Sequence, residues 1–109
     1  MNPDFKLPLT GRCQCRSVAY KITAAPLAVY ACHCTECQRR TGSAFGVGVF
    51  YRSTQVDSSG DYRTYVRQGD SGKDVEFRFC PNCGSTVYWL PEFRPGLVAV
   101  ALGSFDDAQ

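Results

Sequence analysis

The sequence predicts an all-β protein of several short antiparallel strands, with zinc-binding turns and one short helix. Apolar and polar residues alternate in several short segments, which is the pattern of half-buried strands. Turns that contain glycine or proline separate these segments at regular intervals, as is typical of all-β domains. Seven cysteines fall into three groups, and the Cys80-Pro81-Asn82-Cys83 group joins two predicted strands in the form of a zinc-ribbon hairpin.

The domain organisation follows from length and from the position of the prolines. The chain has 109 residues, which suggests one domain. Residues 1–10 are expected to form a loose N-terminal arm, because Pro3 and Pro8 oppose regular structure. Residues 11–109 are then a single zinc-binding domain.

The strands are predicted from alternation and from short apolar runs. They are expected at residues 18–23, 27–32, 45–51, 62–66, 74–79, 86–90 and 97–102. The last run is almost continuously apolar and therefore suits a central position in the sheet. A turn is expected at residues 58–60, and a hairpin loop or flexible flap at residues 68–73.

A short helix is predicted directly after the second strand. Thr35 can cap it, and Gln38 three residues later completes the pattern of a capping box. Gly42 provides the expected left-handed stop, so the helix should cover residues 36–41. Cys37 would lie in the first turn, where the helix N-terminus lowers the pKa of a thiol. We therefore expect Cys37 to be predisposed to the thiolate form.

Two glycines alternate with apolar residues in the predicted strand 45–51. Gly46 and Gly48 lie on one face of that strand, opposite the apolar side chains. They leave room for close approach by a ligand or by the backbone, although simple sheet packing explains them as well.

The cysteines point to metal binding rather than to disulfides. Their number is odd, and the first residues contain no apolar run that could act as a signal peptide. We therefore expect a reducing, cytoplasmic compartment and zinc as the metal, since every candidate ligand is sulfur.

A closed structural site takes four protein ligands and a catalytic site takes three. The four are Cys13, Cys15, Cys80 and Cys83, and the three are Cys32, Cys34 and Cys37. This division predicts two zinc ions per chain, and it leaves partial occupancy of the second site open.

Charge gives no support for a nucleic-acid partner, and hydropathy argues against a membrane. The formal net charge of +2 counts the cysteines as neutral thiols, and two zinc ions held by seven thiolates would make it slightly negative. It is thus no argument for nucleic acid, which usually requires a concentrated basic face. There is no run of 18 apolar residues to cross a membrane. The oligomeric state stays open.

The cysteine frame resembles one protein family. The residues that carry the resemblance are Gly11, Cys13 and Cys15, then Cys32-His33-Cys34, Cys37, Arg39 and Thr41-Gly42-Ser43, then Cys80-Pro81, Cys83-Gly84 and the ending Leu102 to Asp106. Together they are similar to the glutathione-dependent formaldehyde-activating enzymes, a family that includes centromere protein V. The resemblance implies a β-tent fold, a structural zinc on the first and last cysteine pairs, and a catalytic-type zinc on Cys32, Cys34 and Cys37.

The resemblance implies a carbon–sulfur lyase or synthase. Its substrate would be an adduct of an aldehyde with glutathione or a similar thiol, such as S-hydroxymethylglutathione. Arg39 and Arg40 could pair with the carboxylates of such a ligand, or they could be exposed charges on a short helix. His33 lies between two ligand cysteines and is expected to point away from the metal.

Two other functions remain open on the sequence alone. One is a non-catalytic, zinc-stabilised binding module for a protein or nucleic-acid partner, with the fourth corner of the second site filled by His33 or by the partner. The other is a thiol-redox or metal-buffer protein. Two tightly held zinc ions with no response to thiols would favour the module, and reversible oxidation of Cys32 to Cys37 would favour redox.

Overall fold

A computed structural model describes residues 7–69 and 72–106 of the chain. Most of the predicted N-terminal arm, the middle of the predicted loop 68–73 and the C-terminal end lie outside the described residues. The described strands are β1 (Leu9–Arg12), β2 (Ala19–Ile22), β3 (Ala28–Cys32), β4 (Gly46–Arg52), β5 (Val56–Ser59), β6 (Arg63–Gln68), β7 (Asp74–Phe79), β8 (Thr86–Pro91) and β9 (Leu97–Ala101). The helix α1 (Thr35–Thr41) lies between β3 and β4. The all-β class with one short helix is confirmed.

The strands form two antiparallel sheets. The smaller sheet has the order β1-β2-β5, and the larger one has the order β3-β4-β9-β8-β7-β6. Strand β9 is in the interior of the larger sheet, where it pairs with β4 and β8. The central position predicted from its apolar sequence is therefore confirmed.

The hydrophobic core lies between the two sheets. Alternation along each strand places every second side chain on one face, and the inward faces of both sheets contribute to one cluster. The large side chains that are fully buried are Val18, Ile22, Val49, Tyr51, Val87 and Val100. The core thus uses only one face of the larger sheet, and the opposite face is available for a site.

Strand β1 begins inside the segment predicted to be a loose arm. Leu9 pairs with Ile22, and the ladder continues to Arg12. Pro8 precedes the strand, where its missing N–H removes no ladder hydrogen bond. The proline was therefore compatible with a strand that starts directly after it.

Strand β5 includes two residues of the predicted turn 58–60, so that prediction was wrong for Ser58 and Ser59. Ser58 pairs with Tyr20 in β2, and only Gly60 has the positive φ, 94°, that a tight turn uses. Three of the four residues in β5 are exposed. An edge strand of this kind carries no apolar alternation by which the sequence could reveal it.

Helix α1 begins one residue earlier than predicted. Cys34, rather than Thr35, is the N-cap residue, with φ −65° and ψ 158°. Gln38 does not complete a capping box, because its side-chain amide donates to two backbone carbonyls that flank the helix, both at 3.2 Å. The predicted stop at Gly42 is confirmed by its φ of 66°.

The outer face of the larger sheet is built from glycines and aromatic residues of different strands. Gly46, Gly48 and Phe50 alternate along β4 and point to this face. Farther along the sheet, the antiparallel register of β7 and β8 sets Trp89 opposite Phe77. Helix α1 covers part of the face, since it contacts β4.

Candidate functional site

Four cysteines from the two ends of the domain meet at one place. The sulfurs of Cys13, Cys15, Cys80 and Cys83 all lie within 4.8 Å of one another. Cys15 Sγ is 3.7 Å from Cys13 Sγ and 3.6 Å from Cys80 Sγ. None of the four is in a disulfide. The structure therefore brings together the same four residues that the sequence grouped.

Two tight turns aim these sulfurs at a common point. After β1, the N–H of Arg16 donates to the carbonyl of Cys13 at 3.0 Å, and Arg16 has a φ of 73°. Between β7 and β8, the N–H of Gly84 donates to the carbonyl of Cys80 at 2.8 Å, and Gly84 has a φ of 78°. Each turn reverses the chain directly after a cysteine, as the predicted zinc-ribbon form requires.

Hydroxyl groups next to the cluster favour the thiolate form of two cysteines. Ser17 Oγ is 3.0 Å from Cys15 Sγ, and Ser85 Oγ is 3.3 Å from Cys83 Sγ. Hydrogen bonds from these two serines are the main cause that lowers the pKa of Cys15 to about 7 and that of Cys83 to about 5. Burial raises the pKa of the Cys13 thiol instead. Four converging thiols with such donors fit a zinc ion.

The second cluster consists of three cysteines between the end of β3 and the first turn of α1. The sulfurs of Cys32, Cys34 and Cys37 lie within 4.8 Å of one another. Because Zn²⁺ takes four ligands in a tetrahedron, three thiolates leave one position for another ligand. His33 does not belong to this group among the described residues; it is exposed, and its ring is 5.2 Å from that of Phe45.

The helix N-terminus acts on a different thiol from the one predicted. The N–H of Cys37 donates to Cys34 Sγ at 3.4 Å, and this bond is the main cause that lowers the pKa of Cys34. Burial raises the pKa of Cys37 to about 12. The expectation that Cys37 is predisposed to the thiolate form was wrong, because Cys34 occupies the N-cap and Cys37 turns inward. Without a metal, Cys34 is the better thiolate of the two.

A cavity of about 340 Å³ adjoins the three-cysteine cluster on the outer face of the larger sheet. Cys32 and Cys37 form part of its wall, together with residues of five strands, of helix α1 and of the turn before β9. The other residues that line it are Tyr30, Arg40, Gly46, Gly48, Phe50, Arg67, Val75, Phe77, Trp89, Pro91, Phe93 and Arg94. The sequence indicated this place through its cysteines, Arg40, Gly46 and Gly48, but not its aromatic walls, which come from strands that are distant in the chain.

Arg40 crosses the floor of the cavity. Its guanidinium carbon lies 4.4 Å from the ring centroid of Trp89 and 5.5 Å from that of Phe77. A Cβ added at Gly46 would come within 2.5 Å of Arg40 Nη2, and one at Gly48 within 2.8 Å of the Trp89 ring. The two glycines therefore leave the space that the arginine and the indole occupy. Burial lowers the pKa of Arg40, and its proximity to Cys37 partly offsets this effect.

Arg39 points elsewhere. Its guanidinium is 3.6 Å from the Glu36 carboxylate, and its side chain is 76% exposed. It borders a second cavity of about 270 Å³, which also touches Arg40, Arg67 and Phe77. Of the two arginines proposed from the sequence, only Arg40 therefore lines the cavity that the cysteines reach.

The fold and the clusters define a class of protein: a small all-β domain with two groups of cysteines that could each hold a metal ion. The family model described as "Glutathione-dependent formaldehyde-activating enzyme" matches residues 8–109, and the chain belongs to that family. The resemblance read from the cysteine frame is thus confirmed.

The fold also occurs in a crystal structure of a Rhodobacter sphaeroides protein. That protein is 19% identical to this chain, with a TM-score of 0.68 over 89% of this chain and 87% of the other. At this identity the likeness shows the fold alone. No curated protein sequence matches the chain. Among the described residues, no helix is long and apolar enough to cross a membrane.

Proposed function

We propose that this chain is a zinc-dependent carbon–sulfur lyase or synthase that acts on the adduct of an aldehyde with glutathione or a similar thiol. S-hydroxymethylglutathione is the simplest such adduct, and membership of the family supports it. One observation carries the proposal: Cys32 and Cys37 lie in the wall of the cavity. A ligand in the cavity can therefore reach their sulfurs.

Two zinc ions per chain would divide between the clusters. The structural ion would be held by Cys13, Cys15, Cys80 and Cys83, and the second by Cys32, Cys34 and Cys37. When bound with one position open, the second zinc supplies a Lewis acid that favours the thiolate form of an incoming thiol.

The reaction needs a place for negative charge and a site with little water. In the cleavage direction the carbon–sulfur bond breaks and sulfur leaves as a thiolate. The hydroxyl group of the adduct loses its proton, and its oxygen becomes the aldehyde oxygen. One proton and one thiolate are therefore released together, and the charge is balanced. Arg40 carries a positive charge in the cavity wall, where it can stabilise developing negative charge. The rings of Phe50, Phe77 and Trp89 cover the adjacent wall and limit the access of water. Arg39, beside the second cavity, is available to a carboxylate of a longer thiol such as glutathione.

The remaining parts of the proposal follow from this chemistry. Residues 11–109 would act as one zinc-binding domain with a small-molecule thiol or thiol adduct as its partner. The cytoplasm is the proposed location, because thiols stay reduced there.

Exchange spectroscopy by NMR tests the reaction directly. Formaldehyde, glutathione and S-hydroxymethylglutathione are mixed, and their spontaneous exchange provides the baseline rate. The protein with two bound zinc ions should accelerate exchange, and Cys34→Ser should return it to the baseline while the fold is retained.

The contrary result is also informative. If the protein holds two zinc ions that resist chelators, and neither exchange nor metal ligation responds to any thiol, the enzyme proposal fails. The non-catalytic binding module would then be the better description. Reversible oxidation of the three-cysteine cluster, without exchange activity, would support the redox alternative.

A further inference from the structure

We infer that the cavity beside the three-cysteine cluster selects a substrate whose reacting sulfur or carbon is attached to an aromatic group that ends in a carboxylate. The inference rests on the proposed function for the reaction. It goes beyond that function because it assigns the cavity to an aromatic acid and not to the glutathione tripeptide or to formaldehyde.

The size and the walls of the cavity support an aromatic group. Its volume of about 340 Å³ is in the range of ordinary ligand pockets, whereas formaldehyde contributes one carbon. Five aromatic side chains line it: Tyr30, Phe50, Phe77, Trp89 and Phe93. Glutathione would bring two peptide bonds, an ammonium group and two carboxylates against these walls, and polar groups that are buried without partners cost binding energy. An aromatic ring gains from the same walls.

The charge of the cavity supports an anion. Arg40, Arg67 and Arg94 line it, and none of the described lining residues is Asp or Glu. A zinc ion with three thiolates has a net charge of −1, so the three guanidinium groups leave an excess of positive charge. Arg40 Nε is buried and has no hydrogen-bond partner among the described residues. A carboxylate would provide the charge and the acceptors that these groups lack.

The positions of these groups determine the shape of the ligand. Gly46 and Gly48 leave room for the side chains of Arg40 and Trp89, and the guanidinium carbon is 4.4 Å from the indole centroid. Cys32 and Cys37 line the same cavity. Cys32 lies on β3 and Arg67 on β6, at opposite edges of the sheet, and Arg40 is near both Cys37 and Arg67. A ligand that reaches from the cysteines past Arg40 to Arg67 therefore places its reacting atom and its carboxylate apart, with the aromatic group between them.

Binding can be measured without any chemistry, because Trp89 is the only tryptophan in the chain and lines the cavity. Tryptophan fluorescence is followed in the zinc-loaded protein while 4-methylbenzoate, its neutral analogue 4-methylbenzyl alcohol, or glutathione is added. We expect saturable binding of 4-methylbenzoate that is tighter than that of glutathione. The neutral alcohol should bind at least about tenfold more weakly, since a hydrogen bond to a charged group is lost.

Variants of adjacent arginines provide a matched pair. Arg40→Gln should weaken 4-methylbenzoate at least about tenfold, and Arg39→Gln should leave it unchanged, because Arg39 lies outside the cavity. Circular dichroism checks that both variants fold. Three results would overturn the inference. Glutathione could bind more tightly than 4-methylbenzoate, or the neutral alcohol could bind as tightly as 4-methylbenzoate. The third is an Arg40→Gln variant with an unchanged affinity for 4-methylbenzoate.

The outcome is separable from that of the proposed function. If 4-methylbenzoate binds as expected but formaldehyde exchange is not accelerated, the reaction is wrong and the binding site stands. If exchange is accelerated but 4-methylbenzoate does not bind, the inference alone is wrong.

Two further probes show which half of the adduct carries the aromatic acid. If it is the thiol, 4-(mercaptomethyl)benzoate should bind more tightly than 4-methylbenzoate, and Cys34→Ser should remove the gain. If it is the aldehyde, 4-formylbenzoate should exchange with glutathione faster than formaldehyde does under protein catalysis. If 4-(mercaptomethyl)benzoate binds no more tightly than 4-methylbenzoate, and 4-formylbenzoate exchanges no faster than formaldehyde, the proposed substrate class is wrong.

Discussion

The two cysteine clusters have the same ligand atom but join very different parts of the chain. Cys15 and Cys80 are 65 positions apart, and their sulfurs are 3.6 Å apart. The other cluster joins only residues 32–37. A link between distant segments removes more conformational entropy from the unfolded chain than a local link does. A metal at the four-cysteine cluster would therefore stabilise the whole fold, whereas one at the three-cysteine cluster would organise a single turn.

The clusters also differ in their access to ligands. Cys13 and Cys80 are 4% and 0% exposed and form part of the hydrophobic core. Cys32 is exposed and lines the cavity together with Cys37. Cys15 is exposed and Cys83 is partly buried, so the contrast rests on Cys13 and Cys80 and on the number of sulfurs. The same thiol chemistry can thus serve stability where the sulfurs are complete in number and two of them belong to the core. It can serve reactivity where they are three in number and open to a cavity.

The largest expected effect comes from opening the four-cysteine cluster. A structural zinc contributes an apparent ~10–16 kcal/mol to folding, and a domain has a net stability of about 5–15 kcal/mol. Cys80→Ser should therefore abolish soluble folded protein, as judged by circular dichroism and by yield. A variant that melts cooperatively at the temperature of the unmodified protein would show that this cluster does not support the fold.

Cys34→Ser provides the counterpart at the other cluster. Serine is a favoured N-cap residue, so α1 should persist after the substitution. The protein should stay folded and lose about one zinc per chain, because only one site is opened. Native mass spectrometry counts the metal. Retention of both zinc ions, or an unfolded protein, would contradict the division of roles.

Thiol binding should occur at the open cluster only. Averaged over two zinc ions, the ligands should change from seven sulfurs and one lighter atom to eight sulfurs when glutathione is added. X-ray absorption can detect this change, because Zn–S bonds are about 2.3 Å and bonds to oxygen about 2.0–2.2 Å. Apparent affinity should rise with pH, since the ligand is the thiolate and an incoming thiol loses its proton more readily as pH approaches its pKa.

The arginines refine this prediction. If Arg40 holds a carboxylate, glutathione should bind several-fold more tightly than a simple alkyl thiol, and Arg40→Ala should remove the difference. Arg39→Ala should have less effect, because Arg39 is exposed and pairs with Glu36. If the X-ray absorption spectrum does not change at saturating glutathione, the three-cysteine cluster has no open ligand position for a thiol. The two clusters would then not differ as proposed.

The sequence predicted the cysteine groups and the strands β3, β7 and β8 that adjoin two of them, because local spacing and alternation determine both. Strand β1, which leads to Cys13, was not predicted. It also predicted the stop of α1 at Gly42, which has the left-handed conformation expected. That the clusters bind zinc stays a prediction. The pKa of Cys37 was mispredicted, because helix position is visible in the sequence and burial against the sheet is not.

The cavity could not be predicted, because it depends on the register between strands. Trp89 and Phe77 are neighbours only because β8 pairs with β7 in one particular register. Arg67 reaches the cavity from β6, at the far edge of the sheet from the cysteines. Strand β5 was missed for a related reason: its side chains are mostly exposed and leave no apolar pattern.

The smallest expected effect concerns the hydroxyl group beside the four-cysteine cluster. Ser17 Oγ is 3.0 Å from Cys15 Sγ and 3.1 Å from Cys80 Sγ. Partners of metal ligands tune affinity, and one hydrogen bond contributes about 1 kcal/mol. Ser17→Ala should therefore lower zinc affinity at this cluster about fivefold without unfolding the protein. The three-cysteine cluster contains no part of this network, so its zinc should exchange with a chelator at an unchanged rate. Competition with a chromophoric chelator resolves the two ions, and an equal change at both clusters would mean that their metals are not independent.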